Sequence, residues 1–216
     1  LEMRDRVERA IDQRTAMLSG VSHDLRTILT RFKLSLAMLP EGPELEDLQN
    51  DVTEMQRMLE AYLDFARGSA GESAEPVDMR EFLDQIRADA ERHGHPTTVT
   101  FSGSPMVHVR PNAFRRLITN LVANGQRYGK TVDIQAEHGD HFLVVHVDDD
   151  GPGIPADKRE EAFRPFVRLD EARNQDTGGT GLGLAIARDI ARGHGGDISL
   201  DVSPLGGLRA TVRVPV

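Results

Sequence analysis

Leu45, Leu48, Val52, Met55, Leu59, Tyr62 and Ala66 recur at steps of three and four residues, which draws a single apolar seam along one helix. A matching seam precedes it at positions 7, 11, 18, 21, 25, 28, 32 and 39, with polar residues at 14 and 35 filling the same spacing. Between the two, Pro40-Glu-Gly42-Pro43 breaks the pattern, because proline cannot continue a helix and glycine favours a turn. Two helices joined by so short a loop pack antiparallel. A hairpin of this size buries too little apolar surface to stand alone. Two copies related by a twofold axis would close a four-helix bundle, so the sequence predicts a homodimer.

Gly68-Ser-Ala-Gly-Glu-Ser-Ala-Glu-Pro76 is small, polar and helix-breaking, and reads as a linker. Beyond it the texture changes. Amphipathic helices are predicted at about 78–92, 111–128 and 182–194, and β-rich runs at 97–101, 107–109, 132–137, 142–147, 198–202 and 210–214. The expected organisation is therefore a helical hairpin at 1–67, a linker at 68–76 and one α/β sandwich domain at 77–216. The formal net charge of −9 argues against a nucleic-acid partner, which requires clustered lysine and arginine. No cysteine is present, so disulfides and thiolate metal sites are excluded. No apolar run reaches the roughly 18 residues of a membrane span, and no signal peptide is evident. The chain opens on helix-like sequence without methionine and is expected to be a fragment of a longer protein.

His23 lies two residues from seam positions Val21 and Leu25, so it is expected to point outward, with Thr27 one turn later on the same face. A neutral imidazole is a competent nucleophile near pH 7, and Asp24 can accept the departing proton or hold the ring tautomer. A second group of candidates lies far downstream. Asn120 and Asn124 share one face of a predicted helix, and amide oxygens suit Mg²⁺. The run Asp148-Asp149-Asp150-Gly151-Pro-Gly153 ends a predicted strand, and a carboxylate is an acceptor matched to the adenine amino group. Polar residues from about 167 to 180 read as a mobile lid, in which Arg168 and Arg173 can reach phosphates. Gly179-Thr-Gly181-Leu-Gly183 then leads into a helix, an arrangement suited to anions. It is neither a Rossmann fingerprint nor a Walker loop.

The string Ser22-His-Asp-Leu-Arg-Thr27, with Leu29-Thr-Arg31, resembles the H-box of sensor histidine kinases of two-component systems, in particular the EnvZ-like osmosensor group. Asn120–Tyr128 resembles the N-box, Asp149–Gly153 the first glycine box, Phe163-Arg-Pro-Phe166 the F-box and Gly179–Gly183 the second glycine box. The resemblance covers essentially the whole chain. It implies a dimeric helical bundle followed by an ATP-binding α/β sandwich of the Bergerat (GHKL) type, shared with gyrase, heat-shock chaperone ATPases and MutL.

It further implies that His23 is the phosphoacceptor, Asp24 its acid–base partner, and Thr27 the residue that positions water when a response regulator is dephosphorylated. ATP would be held by Asn120, Asn124, Arg127, Tyr128, Asp149, Gly151, Gly153, Phe166, Arg168, Gly179, Gly181 and Gly183, with Asn124 the Mg²⁺ ligand. The partner would be an OmpR-like receiver domain, and the parent protein a bacterial inner-membrane sensor whose cytoplasmic part this is. A chaperone or repair ATPase would lack the H-box. Two positions depart from the pattern. Ile28 stands where the family has proline, which predicts a straighter helix, a tighter bundle and a shifted balance of kinase, transfer and phosphatase activities. Gly125 stands where alanine is usual, at a helix-propensity loss of about 1 kcal/mol.

Overall fold

The computed structural model describes residues 25–39, 42–67, 72–169 and 180–216. The chain divides into two compact units, Leu1–Gly68 and Ser69–Val216. In the first, residues 25–36 form helix α1, uninterrupted at Ile28. Helix α2 spans Pro43–Arg67. Pro43 begins α2 where its missing N–H costs nothing, and Gly42 O accepts from the amides of Leu45 and Glu46. The seam side chains are largely uncovered in the single chain: Phe32 is 57% exposed and Met55 54%, whereas Val52 is the one buried side chain among the described residues of this unit. That much uncovered apolar surface marks a face that is incomplete without a partner.

The second unit is a two-layer sandwich. Its elements are β1 (Glu75–Asp78), α3 (Met79–Arg92), β2 (Thr97–Gly103), β3 (Met106–Val109), α4 (Pro111–Tyr128), β4 (Val132–His138), β5 (Phe142–Asp149), α5 (Gly183–Gly193), β6 (Asp197–Val202) and β7 (Leu208–Pro215). Two 3₁₀ turns, Ala156–Lys158 and Glu161–Phe163, follow β5. The main sheet runs β2-β4-β5-β7-β6. β2 pairs with β4 in parallel, and every other neighbour in the sheet is antiparallel. Alternation along the strands makes one face apolar: Val132, Ile134, Leu143, Val145, Val147, Ile198, Val212 and Val214 are buried there. Phe82 and Leu83 of α3, Phe114, Leu117 and Ile118 of α4, and Ile186 and Ile190 of α5 supply the rest of the core.

One element departs from the sequence reading. Glu75 and Pro76, read as linker, belong to β1, which pairs antiparallel with β3 in a separate two-stranded sheet. Pro76 cannot donate to a ladder, and it is tolerated here because this little sheet consists only of edge strands.

Two histidines make the stability of this unit sensitive to pH. His146 on β5 meets Thr211 Oγ1 at 2.9 Å, and His194 at the end of α5 accepts from the Arg110 amide through Nε2 at 3.1 Å. Burial pushes both imidazoles below their ordinary value of 6.5, helped by the cations of Arg209 and Arg110 respectively. As pH falls below 6.5 the unfolded chain therefore takes up protons before the folded one, and unfolding is favoured. Urea denaturation at pH 7.5, 6.5 and 5.5 should show falling stability across that series. A flat or rising profile would contradict the assignment of two half-buried, neutral imidazoles.

Candidate nucleotide site

Three successive aspartates at the end of β5 are sorted by the pleat and the following turn. Asp148 points to the opposite face of the sheet from Asp149, fully buried where the Arg209 guanidinium grips it in a two-pronged pair at 2.8 and 2.7 Å. Asp150 closes the α4–β4 connection, its Oδ1 accepting from the amides of Lys130 at 2.6 Å and Thr131 at 2.9 Å. Those two N–H groups hold the Asp150 carboxyl below the usual range.

Asp149 faces inward and is buried. Its Oδ1 accepts from Gly151 N at 2.9 Å and Leu208 N at 3.0 Å, while Oδ2 carries no hydrogen bond among the described residues. Burial pushes this carboxyl up, against the lowering effect of the two amides. An accessible carboxylate oxygen left open beside a fixed one, on an otherwise buried residue, suits a ligand that brings its own donor.

Glycines make room around it. A Cβ on Gly125 of α4 would stand 3.0 Å from Val132 Cγ2 and 3.3 Å from Asp149 Cβ. The glycine that weakens α4 thus lets it settle onto the end of β5. A Cβ on Gly151 would meet Tyr128 O at 2.9 Å, which brings the C-terminus of α4 against the glycine turn. Gly153 has φ +70 and packs against Gly207 O. Gly207, in the β6–β7 hairpin, is the tightest of those around Asp149, since a Cβ there would overlap Asp149 Oδ1, Asp149 O and Gly151 N. Sequence reasoning passed over Gly207. Its signal, the paired Gly206-Gly207 between two β-rich runs, announces a turn but not what the turn lies against.

Asn120 and Asn124 are half-buried and one turn apart on α4. A Cβ on Gly183 would stand 3.7 Å from Asn120 Oδ1, so the start of α5 adjoins the asparagine face. Among the described residues no side chain caps the N-terminus of α5, where the amides at a helix start favour an anion. Phe166 adopts a left-handed conformation (φ 65), rare for a bulky residue, and its amide donates to Gly181 O at 3.0 Å. Gly181, at φ +66, is the close-packed partner, because a Cβ would lie 3.0 Å from Phe166 Cα. This bond pins together the two ends of the segment read as a lid. Arg188 on α5 braces the neighbouring turn, with its guanidinium 4.3 Å from the Phe163 ring and paired to Glu160 and Asp197.

Asp149, Gly151, Gly153, Gly125 and Tyr128 therefore converge at one place, with Asn120, Asn124 and Gly183 on the adjoining helix faces. Arg127 and Arg168 are exposed. Thr27 is exposed on α1. His23, Asp24, Arg173 and Gly179 lie outside the described residues. No cluster of three or more histidine or acidic side chains among the described residues can hold a metal, so a cation here would rely on amide and phosphate oxygens. No described helix is long and apolar enough to cross a membrane.

Residues 109–216 match the family described as histidine kinase-, DNA gyrase B-, and HSP90-like ATPase. The chain belongs to that family. Residues 13–71 match the His Kinase A (phospho-acceptor) domain, and together the two make this chain the transmitter core of a sensor histidine kinase. The sensor histidine kinase CpxA of Escherichia coli K12 is 35% identical over 97% of this chain and 49% of its own length. The sensor histidine kinase GtrS of Pseudomonas aeruginosa is 36% identical over 99% of this chain and 44% of its own. The chain thus spans about half the length of these curated relatives. Among solved structures, full-length ShkA in complex with AMPPNP has a TM-score of 0.70 at 23% identity, covering 93% of this chain and 45% of that one. The ATP-binding domain of PrrB from Mycobacterium tuberculosis has a TM-score of 0.54 at 31% identity, covering 66% of this chain and 96% of that one.

Proposed function

We propose that this histidine kinase core phosphorylates itself on His23 from ATP and passes the phosphoryl group to an aspartate on the receiver domain of an OmpR-like response regulator. The observation that carries this reading is the open Asp149 carboxylate oxygen, framed by Gly151 and Gly207, in the same chain as the Ser22-His23-Asp24-Leu25-Arg26-Thr27 string. In this proposal Asp149 accepts from the adenine amino group, Gly151 and Gly153 admit the purine edge, and Tyr128 and Phe166 flank it. Arg127, Arg168 and the amides following Gly179, Gly181 and Gly183 bind the phosphates. Asn124, with Asn120 beside it, would hold Mg²⁺ through amide oxygens, and the bound cation would supply charge neutralisation on the triphosphate.

The neutral His23 imidazole attacks the γ-phosphorus as the bond to the ADP oxygen breaks, and Asp24 takes the imidazole proton. A phosphatase role for Thr27, acting on a water at the regulator's phosphoaspartate, belongs to the same proposal. So do the homodimer, favoured by the exposed seam of α1 and α2, and residence in a bacterial inner-membrane sensor.

Incubation with γ-labelled ATP and Mg²⁺ tests it. The label should be acid-labile and base-stable and should map to the tryptic peptide Thr15–Arg26, in which His23 is the sole histidine. Label that is absent, or that maps elsewhere, overturns the assignment. Ile28→Pro should shift the ratio of phosphatase to kinase rate severalfold, since proline fixes its own φ and restricts the residue before it, changing the backbone of α1 just beyond His23. Measuring autophosphorylation, transfer and dephosphorylation side by side checks this, and three unchanged rates would refute it.

A further inference from the structure

The pairing of β5 with β7 stops one rung short of the nucleotide site. Its last pair on that side is Asp148 opposite Arg209. At the next step the Leu208 amide donates to the Asp149 side chain, through Oδ1 at 3.0 Å, and the Gly207 amide donates to Asp149 O at 3.2 Å. The place of Oδ1, and with it the direction in which Oδ2 is presented, therefore depends on how β7 lies against β5 at this terminal rung. The end of a ladder is where pairing opens most easily, because no further rung holds it.

On the opposite face of the sheet the same rung carries a row of charges. Asp133 of β4, Asp148 of β5, Arg209 of β7 and Asp201 of β6 are in register. One guanidinium thus stands among three carboxylates. Two of these have other partners: Asp133 accepts from Thr98 Oγ1 and from Gln135 Nε2, and Asp201 accepts from Arg159 Nη1 at 3.0 Å. Arg209 is left to Asp148, which it meets with Nε at 2.8 Å and Nη2 at 2.7 Å. A planar fork on a buried carboxylate fixes both the separation and the sideways offset of two strands, which a single point contact does not.

We propose that Arg209 is a positioning residue for nucleotide recognition. Its grip on Asp148 fixes the last β5–β7 rung from behind, which holds Leu208 N against Asp149 Oδ1 and aims Oδ2 at the adenine amino group. Arg209 acts through the backbone of Leu208 and touches no nucleotide, since its side chain and that of Asp149 lie on opposite faces of the sheet. The inference rests on the proposed reading of Asp149 as the adenine acceptor.

Two nucleotides decide it, ATP and purine riboside triphosphate, which lacks the 6-amino group. Calorimetric titration of the full chain with each gives a ratio of dissociation constants that reports the amino contact alone. The wild type should prefer ATP by about tenfold or more, the worth of one hydrogen bond to a charged acceptor. Arg209→Lys keeps the charge but gives up the fork. It should lower the preference severalfold and leave the affinity for purine riboside triphosphate as it was. Arg209→Ala alone would orphan a buried carboxylate and endanger the fold. The second variant is therefore the double one, Asp148→Ala with Arg209→Ala, which leaves no charge behind and should lose the preference as well. Arg213→Lys is the control, at the far end of β7 where the guanidinium stacks 3.7 Å from the centre of the Phe142 ring, and should keep the wild-type ratio. A preference kept in either clamp variant, or lost in the control too, overturns the positioning role. Equal weakening of both nucleotides would make the pair an element of the fold alone and overturns it likewise. A wild type with no preference for ATP sinks the adenine reading of Asp149 itself, an outcome distinct from the others.

Discussion

Asparagine in place of Asp149 should weaken ATP binding at least a hundredfold and leave the domain at least as stable. The amides of Gly151 and Leu208 both donate to Oδ1, so the asparagine carbonyl oxygen must occupy that position and its NH₂ must replace Oδ2. The open acceptor becomes a donor facing the adenine amino donor, and neither can be satisfied. Leaving a buried group unpaired costs about 1–3 kcal/mol, and loss of a charged acceptor costs more. At 1.4 kcal/mol per tenfold, a hundredfold loss needs about 2.8 kcal/mol.

Stability should move the other way. Burial raises the Asp149 pKa, so the folded state holds the proton more tightly than the unfolded chain between 3.8 and the raised value. Above that window the ionised carboxylate is a net burden on the fold, which a neutral amide removes. Calorimetric titration with an ATP analogue, alongside a thermal melt at pH 7.5, reads both quantities. Unchanged affinity would sink the adenine assignment, and a collapse in melting temperature would show that Asp149 serves the fold instead.

The second large effect is expected at Gly207. A Cβ there meets backbone and a fixed carboxylate on three sides, with no flexible side-chain end to yield. Gly207→Ala should cost about 1–3 kcal/mol of stability, as overpacking does. Because the displaced atoms are Asp149 Oδ1 and Gly151 N, it should also weaken ATP binding at least tenfold at temperatures where the domain remains folded. Gly139→Ala is the control, since its Cβ meets only Phe142 O at 3.7 Å and lies in the β4–β5 turn. Equal behaviour of the two variants would show that the hairpin does not shape the site.

The contrast between Asp149 and Gly207 shows what could be read from the sequence. Period-two runs and helical seams located most elements, because burial of one face is written into the residues themselves. Asp149 is set apart from Asp148 and Asp150 by the resemblance of Asp149–Gly153 to the first glycine box. The work of Gly207 and of the Arg188 brace depends on what lies opposite them in space, and nothing in their neighbours announces it. β1 escaped notice for a related reason. It is four residues long, contains proline and is polar on most of its length, so only its pairing with Met106–Val109 makes it a strand.

The bond from Phe166 to Gly181 has an evolutionary corollary. It holds the two ends of the intervening segment together. Doubling the length of such a loop adds only about 0.6 kcal/mol of closure entropy. Descendants of this sequence can therefore change the number of residues between those two positions at little cost to the fold, while Arg168 and Gly179 stay tied to the phosphates and the two anchoring positions to each other.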